Sequence, residues 1–272
     1  MEDKLVINEL LLEITRNCTL ECEHCLKGDC QKFNIDDNTL NNVFKDIKSI
    51  KTLVLTGGEP LLAPNAIIRI AELIKKYNIN VGTVLIVTNG TVMSEKTLNA
   101  LEIIRDAAPL KLSISYDIFH SLCLDKKGLK ELRNKNAKIF EDRFNATHYD
   151  RDTPYGLING HRQRIYIFPR GRAEILSSDR LREIGDLVNV DYTRDSKKNY
   201  DNDCFFNPEG SNFLRGSVTI DVFGNVVKNN VPYVEEDIYS KDSNLNVNSI
   251  GLYDAICNHI HRRNLGNCFY YK

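Results

Sequence analysis

The chain lacks an excess of charge of either sign, since its 272 residues include 36 Lys and Arg against 37 Asp and Glu. Nucleic acid is therefore not an expected partner, because surfaces that bind a polyanion are usually rich in basic residues. The chain also lacks an apolar run long enough to span a bilayer, and its first four residues do not have the layout of a signal peptide. We expect a cytoplasmic protein with no membrane partner.

The eight cysteines are better explained in a reducing compartment by metal ligation and ordinary thiols than by disulfides. Three of them, Cys18, Cys22 and Cys25, form the pattern CxxxCxxC. Three thiolates in one short loop can hold three corners of a cuboidal 4Fe-4S cluster, because soft iron favours thiolate sulfur. The fourth iron is then open to a substrate or cofactor, whereas electron carriers usually close the cluster with a fourth cysteine. The pattern favours chemistry at the cluster over electron transfer.

A structural zinc site is the alternative, and His24 or Cys30 is near enough in sequence to supply its fourth ligand. Such sites usually come as two CxxC-like pairs, and this chain has one triplet without a second pair. Spacing alone therefore makes zinc the weaker hypothesis.

Short apolar runs alternate with amphipathic runs along the first 115 residues. A helix is predicted behind Asp36, with Leu40, Val43, Phe44, Ile47 and Ile50 at helical spacing. Further helices are predicted at 66–77 and 95–106, and strands at 10–15, 52–55, 83–87 and 110–115. This alternation predicts a parallel sheet with right-handed crossovers, either open or an incomplete barrel. Ligands of such sheets bind at the carboxyl ends of the strands.

Polar residues and glycines follow three of these strands. Gly57 and Gly58 allow backbone to approach a ligand closely, and Glu59 can accept hydrogen bonds from an ammonium group, although a tight turn is the alternative. Asn89 follows the third strand and is also compatible with a plain turn. Ser113 and Ser115 share one face of the fourth strand, where hydroxyls suit the ribose of a ligand better than a packed core.

His120, which follows Asp117, is a weak candidate for substrate binding or proton transfer, because a lone histidine is more often structural. Asp117 is a weak candidate for the same two roles.

The CxxxCxxC loop and the sequence GGEP at residues 57–60 together resemble the radical S-adenosylmethionine (radical SAM) enzymes, whose signatures are CxxxCxΦC and GGEP. His24 stands at Φ, where the family usually has an aromatic residue. The resemblance implies an α/β fold, a partial TIM barrel of the incomplete parallel (βα)6 type, with a 4Fe-4S cluster and SAM as cofactors. It implies Cys18, Cys22 and Cys25 as cluster ligands. The implied SAM-binding residues are His24, Gly57, Gly58, Glu59, Asn89, Ser113, Ser115 and Asp117.

The C-terminal part resembles, in its order of elements, the SPASM or twitch extension of some radical SAM enzymes. A late strand at 165–168 precedes Gly-Arg-Ala at 171–173, and a hairpin at 218–227 and a helix at 252–260 follow. Arg170 and Arg172 are interpreted as carboxylate ligands or as surface ion pairs. We predict a core domain at 1–193 and, at 194–272, a linker with a small hairpin-plus-helix appendage. The appendage is predicted to lack a second cluster, because no thiol follows the hairpin at 227–230, although Cys204, Cys257 and Cys268 with a histidine could in principle bind a cluster or a zinc.

The resemblance implies that the reduced cluster cleaves SAM to a 5′-deoxyadenosyl radical, which abstracts hydrogen from a substrate. An electron donor such as flavodoxin or ferredoxin is implied. A peptide or protein side chain is the first substrate hypothesis, although few residues precede the first strand to form a leader-binding domain. A small metabolite is the second hypothesis, and activation of a glycyl-radical enzyme is the third. An electron carrier, a zinc-stabilised binding module and a SAM-binding regulator are the hypotheses that involve no radical.

Overall fold

Six parallel strands form the centre of the structure, a computed structural model that describes residues 4–25, 27–115, 117–149, 213–227 and 243–267. It also describes 157–158, 161–162, 164–167, 172, 176–177, 179–180, 183, 189–192 and 205–206. The first half alternates strands and helices: β1 Leu5–Thr15, α1 Asp37–Phe44, β2 Ile47–Gly57, α2 Pro64–Lys76, β3 Asn80–Thr88, α3 Glu95–Ala107, β4 Leu110–Ser115, α4 Ile118–Lys126, α5 Lys130–Phe144 and β5 Thr147–Tyr149.

The later elements are mostly short strands. They are β6 Leu157–Ile158, β7 His161–Arg162, β8 Arg164–Ile167, β9 Asn189–Tyr192, β10 Phe205–Phe206, β11 Phe213–Ile220 and β12 Val226–Val227, followed by the helices α6 Val247–Ile250 and α7 Leu252–Asn267. β8 confirms the predicted late strand, and α7 confirms the terminal helix. None of the described helices is long and apolar enough to cross a membrane.

The main sheet has the strand order β10-β11-β1-β2-β3-β4-β5, with β12 paired to β11. The pairs from β11 to β5 are all parallel, whereas β10 and β12 lie antiparallel to β11. Within the described strands the two ends of this order do not pair with each other, so the sheet is not closed. The α/β class and the incomplete parallel barrel predicted from the sequence are confirmed.

Apolar residues on one face of the sheet pack against the helices. Leu10, Leu12 and Ile14 of β1 are buried there, and the core also contains Ile67 and Ile70 of α2 and Leu101 of α3. Successive strand residues point to opposite faces, so Glu9, Glu13 and Thr15 point to the other face. Helices therefore cover one face, and the other carries these polar side chains together with the apolar Leu11, Val54 and Leu85.

The predicted first helix was too long. Asp36 does cap it, accepting a hydrogen bond from the Thr39 backbone, but the helix ends at Phe44. Ile47 and Ile50 belong to β2, where they pair with Leu5 and Ile7 of β1 and are buried. Their spacing fits a helix, but burial between neighbouring strands decides the local structure.

The predicted hairpin at 218–227 is confirmed by β11 and β12, whose residues Ile220 and Val226 pair across the turn. β11 also pairs with β1 in parallel, for example Val218 with Leu10, so this strand extends the main sheet. The boundary predicted at residue 193, together with Arg170, Cys204 and Cys268, lies outside the described residues.

Candidate active site at the carboxyl ends of the strands

The cysteine loop follows β1 directly. Cys22 is buried, Cys18 and Cys25 are half-buried, and the backbone N–H of Cys25 donates to the Cys22 carbonyl at 3.1 Å. The three pack against a small apolar cluster that includes Leu20 and Phe119. Burial raises the pKa of the Cys18 thiol to about 11. The loop therefore presents three thiols in largely apolar surroundings.

Gly57 and Gly58 lie against the backbone that enters this loop. The Gly58 N–H donates to the Thr15 carbonyl at 2.8 Å, and the Glu59 N–H donates to the Asn17 carbonyl at 2.7 Å. A Cβ on Gly58 would lie 2.3 Å from the Asn17 oxygen, and one on Gly57 would lie 2.1 Å from the Thr15 oxygen. In the structure, Gly57 and Gly58 therefore allow the end of β2 to lie against the backbone of Thr15 and Asn17.

Glu59 is fully buried and joins the ends of two strands. Its Oε1 accepts hydrogen bonds from the Leu61 N–H at 3.1 Å and the Thr88 hydroxyl at 2.7 Å, while Oε2 accepts from the Asn89 N–H at 2.7 Å. Burial raises the pKa of this carboxyl, and the three hydrogen bonds oppose that shift.

Asn89 connects the end of β3 to the cysteine loop, so its role exceeds that of a plain turn residue. Its Nδ2 donates to the Thr19 hydroxyl at 3.1 Å and to the Cys18 sulfur at 3.7 Å. Its Oδ1 accepts from the backbone and hydroxyl of Thr91 at 2.9 and 2.7 Å. The amide is therefore held with a donor directed at a cysteine.

Ser113 and Ser115 share one face of β4, as predicted. Ser113 is only 2% exposed, and its Oγ has no hydrogen-bond partner among the residues that the structure describes. A buried hydroxyl without a partner is unusual, because such groups are costly to desolvate. This oxygen fits contact with a polar ligand.

His24, Asp117 and His120 come together in one cluster. Asp117 is the N-cap of α4, and its Oδ1 accepts the His120 backbone N–H at 2.8 Å. Its Oδ2 lies 2.6 Å from His120 Nδ1 and 3.3 Å from His24 Nε2. Burial raises the pKa of Asp117, but the two histidines outweigh burial and hold that pKa well below its usual range.

Cys123 on α4 is a site residue that the sequence analysis missed. Its sulfur accepts the Glu21 backbone N–H at 3.2 Å and shares a hydrogen bond with the Cys22 sulfur. That hydrogen bond lowers the pKa of Cys123 to about 6, and with burial it raises the pKa of Cys22. No local sequence pattern marks Cys123, because its contact depends on how α4 packs against the loop.

Arg172 and Arg180 hold the outer side of the cysteine loop. Arg172 donates from its backbone to the Cys25 carbonyl at 3.1 Å and from Nε to the Cys22 carbonyl at 2.9 Å. Arg180 binds Glu23 through two hydrogen bonds of 2.8 and 3.1 Å. Arg172 also lies 3.4 Å from exposed Asp29, the surface ion pair allowed by the sequence, but its contacts with the loop were not predicted.

The family model for the radical SAM superfamily matches residues 12–152, which is more than half of the chain. The chain belongs to the radical SAM superfamily. Enzymes of this superfamily use a 4Fe-4S cluster and S-adenosylmethionine. The resemblance drawn from CxxxCxxC and GGEP is thereby confirmed for the core, while the SPASM or twitch assignment stays a prediction.

Curated relatives match part of this radical SAM chain. GTP 3′,8-cyclase of Clostridium perfringens (strain SM101 / Type A) is 32% identical over 107 residues, which are 35% of this chain and 32% of the cyclase. GTP 3′,8-cyclase of Alkaliphilus oremlandii (strain OhILAs) is 28% identical over 118 residues, 41% of this chain and 35% of the cyclase. The match thus spans about a third of these relatives.

The solved structure of histidine-tagged anSMEcpe with bound AdoMet has a similar fold. Its TM-score is 0.53 at 15% sequence identity, and the match covers 94% of this chain and 82% of that one. The likeness supports the partial TIM barrel fold.

The residues at the strand ends fit the two cofactors of the family. The loop supplies three soft sulfur donors, and the buried Ser113 Oγ and His24 Nδ1 have no hydrogen-bond partners among the described residues. The one described group whose three ligand atoms all lie within 4.8 Å of each other is His24, Asp117 and His120, and it contains no cysteine. The cysteines that the structure describes do not form the compact set that tetrahedral zinc requires.

Proposed function

We propose that this protein is a radical SAM enzyme in which Cys18, Cys22 and Cys25 bind three irons of a 4Fe-4S cluster. The observation that carries the proposal is the chain of contacts from Glu59 to Asn89 to Cys18. It joins the ends of β2 and β3 to the cysteine loop after β1, at the edge where parallel sheets bind ligands.

SAM would lie against the ends of these strands, held by Gly57, Gly58, Glu59, Asn89, Ser113 and Ser115. A carboxylate has about four acceptor positions, and three of those on Glu59 are used within the protein, which leaves one for the SAM ammonium group. Ser113 Oγ, which has no partner among the described residues, would hydrogen-bond a ribose hydroxyl. Once bound, the cluster and SAM supply a 5′-deoxyadenosyl radical that abstracts hydrogen from the substrate.

The protein's own contribution is to position these groups and to keep water away from them. Asn89 directs an amide donor at Cys18, and the apolar side chains of Leu20 and Phe119 pack beside the cysteines. Arg172 fixes the backbone carbonyls of Cys22 and Cys25 from the outside. His24 and Asp117 lie at the border of the same site.

We propose a peptide or protein side chain as the substrate. The hairpin of β11 and β12 followed by α7 has the order of a SPASM or twitch extension, which supports this choice. The face of the sheet opposite the helices bears Glu9, Glu13 and Ser217, but Glu13 is fully buried beside Arg16 and Lys27, and Ser217 donates to Glu9.

A small metabolite is the second candidate, and the two GTP 3′,8-cyclases favour it. The match covers only about a third of each cyclase, so GTP is treated as a competing substrate. Activation of a glycyl-radical enzyme ranks third. We place the enzyme in the cytoplasm, with flavodoxin or ferredoxin as electron donor.

The test is anaerobic reconstitution of the cluster, followed by addition of a reductant and SAM. Formation of 5′-deoxyadenosine by the wild type, and not by Cys22→Ala, is the expected result. Its absence from protein that holds four irons per chain would refute the enzyme function. Peptides encoded by neighbouring genes and GTP are then compared as substrates, and stimulation by GTP alone would reject the peptide proposal.

A further inference from the structure

Two imidazoles and one carboxylate converge where α4 begins. The ligand atoms are His24 Nε2, Asp117 Oδ2 and His120 Nδ1, and all three lie within 4.8 Å of one another. His24 Nε2 is 3.3 Å from Asp117 Oδ2, and His120 Nδ1 is 2.6 Å from it. A tetrahedral metal with bonds of about 2.0 to 2.2 Å separates its ligand atoms by about 3.3 to 3.5 Å. The distance from His24 Nε2 to Asp117 Oδ2 already fits this geometry. His120 Nδ1 would have to move away from Asp117 Oδ2 by less than about 1 Å.

Other contacts already orient these three side chains. Asp117 Oδ1 accepts the His120 backbone N–H at 2.8 Å, which leaves Oδ2 facing both rings. The His24 ring stacks on Phe119, with ring centres 4.5 Å apart and planes inclined by 17°. The His24 and His120 rings meet edge to face at 5.2 Å. These contacts limit the rotation of the His24 ring and the Asp117 carboxylate, while His24 Nδ1, the atom that an outer hydrogen bond usually holds in a metal site, has no partner among the described residues.

Burial and charge also suit a cation. The side chains are 21%, 15% and 17% exposed for His24, Asp117 and His120, so they are shielded but remain reachable. Asp117 supplies one negative charge, and His120 is close enough to Glu59 for an electrostatic interaction. A divalent cation would therefore be only partly neutralised by its ligands, with Glu59 within electrostatic range of His120.

We propose that His24, Asp117 and His120 bind one divalent transition-metal ion beside the cysteine loop. Two histidines and one carboxylate with an open fourth position are the donor set of catalytic zinc and of non-haem iron(II). The open position would take an oxygen or nitrogen atom of the substrate. This gives a reason for histidine instead of an aromatic residue at position 24.

The proposed metal site depends on the proposed function only in that the neighbouring cysteine loop is taken to hold a cluster. Protein with four irons per chain is therefore incubated anaerobically with zinc chloride, desalted and analysed for both metals. One zinc per chain is expected, with all four irons retained. Asp117→Asn, which keeps an N-cap side chain for α4, and His120→Ala should each weaken zinc binding by at least about a hundredfold. Asp125→Asn, on the same helix, is the matched control and should bind zinc as the wild type does.

Cobalt(II) provides a second measurement, because nitrogen and oxygen ligands give weak visible bands without the sulfur charge-transfer band of a cysteine site. The chain with Cys18, Cys22 and Cys25 replaced by Ala should still bind one cobalt with that spectrum. Cobalt binding by this variant tests the metal site without the radical chemistry, which is measured separately by the formation of 5′-deoxyadenosine. A four-iron protein that retains no zinc, or retention that is unchanged in both ligand variants, overturns the proposal in favour of a metal-free hydrogen-bonded cluster.

Discussion

The backbone N–H of Asn89 donates a 2.7 Å hydrogen bond to Oε2 of Glu59, and this bond ties the end of β3 to the end of β2. Asn89 in turn directs its side-chain amide at Cys18. Glu59, which the sequence predicts to bind SAM, thus also stabilises the cysteine loop through Asn89. Changes at Glu59 should therefore affect cofactor binding and folding together.

Glu59→Ala tests both roles. It should weaken SAM binding by about 1 to 3 kcal/mol, because it removes a charge-assisted acceptor of the ammonium group. It should also lower the free energy of unfolding by at least about 2 kcal/mol, since the Thr88 hydroxyl and the Asn89 N–H lose their buried partner. Equilibrium dialysis of the four-iron protein and thermal unfolding measure the two effects. Glu59→Gln keeps one acceptor oxygen, so its SAM affinity and its stability should lie between those of the wild type and Glu59→Ala. Unchanged SAM affinity in Glu59→Ala would reject Glu59 as a SAM ligand.

Gly58→Ala tests the close approach of β2 to the loop. The new Cβ would lie 2.3 Å from the Asn17 oxygen and 2.8 Å from its carbonyl carbon, so backbone has to move. We expect a loss of about 3 kcal/mol or more in unfolding free energy and poor cluster incorporation. Gly128→Ala is the control: no atom lies within 4 Å of its Cβ, and only its positive φ of 65° adds strain, about 1 kcal/mol. Equal melting temperatures for the two variants would contradict this account.

The position of the site was predictable because the carboxyl ends of parallel strands meet at one edge of a sheet. Once the strands are predicted, Cys18, Glu59, Asn89 and Ser113 have to lie at the same edge. In the structure, hydrogen bonds join Asn89 to Glu59 and Cys18, and Ser113 pairs with Val87, two residues before Asn89. The hydrogen-bond partners are not predictable in the same way. The sequence pattern at Gly58 suggests room for a ligand, although the room is taken by the backbone at Asn17.

Contacts made by α4 were beyond sequence reasoning. His24 and His120 are 96 positions apart, and whether they meet depends on the packing of α4 on the cysteine loop. Cys123 reaches Cys22 for the same reason. The helical spacing of Ile47 and Ile50 misled the prediction because the same spacing also occurs by chance in a strand, and pairing with β1 decided between them.

Arg172→Ala should reduce cluster incorporation without changing the ligands. The guanidinium Nε donates to the Cys22 carbonyl at 2.9 Å, and a charged donor of this kind contributes about 1.5 to 3 kcal/mol. Iron content after limited reconstitution and the rate of cluster loss in air measure the effect. Arg172→Lys should recover part of it, and Lys135→Ala on α5 serves as the surface control. Full iron content and unchanged air stability in Arg172→Ala would exclude the role.

Cys123→Ala should make the cluster harder to reduce. A cysteine sulfur bound to iron carries no proton, so in the loaded protein only Cys123 can donate the hydrogen bond shared with Cys22. Hydrogen bonds to cluster sulfurs influence the reduction potential, and their loss should shift the midpoint to a more negative value. An EPR-monitored redox titration measures the shift. Cys123→Ser retains a donor and should remain near the wild type; identical midpoints in all three proteins would exclude the hydrogen bond.

The predicted absence of a second cluster is tested by counting irons. Cys257 lies half-buried on α7 and forms a hydrogen bond with Tyr253, while Cys204 and Cys268 lie outside the described residues. The reconstituted chain should contain about four irons, as one open cuboidal cluster requires, and replacing Cys18, Cys22 and Cys25 together should remove all of them. Cys257→Ala should retain the full count. About eight irons, half of them surviving the triple replacement, would instead show that Cys204 and Cys268 bind a second cluster and that the resemblance to cluster-binding extensions goes further than predicted.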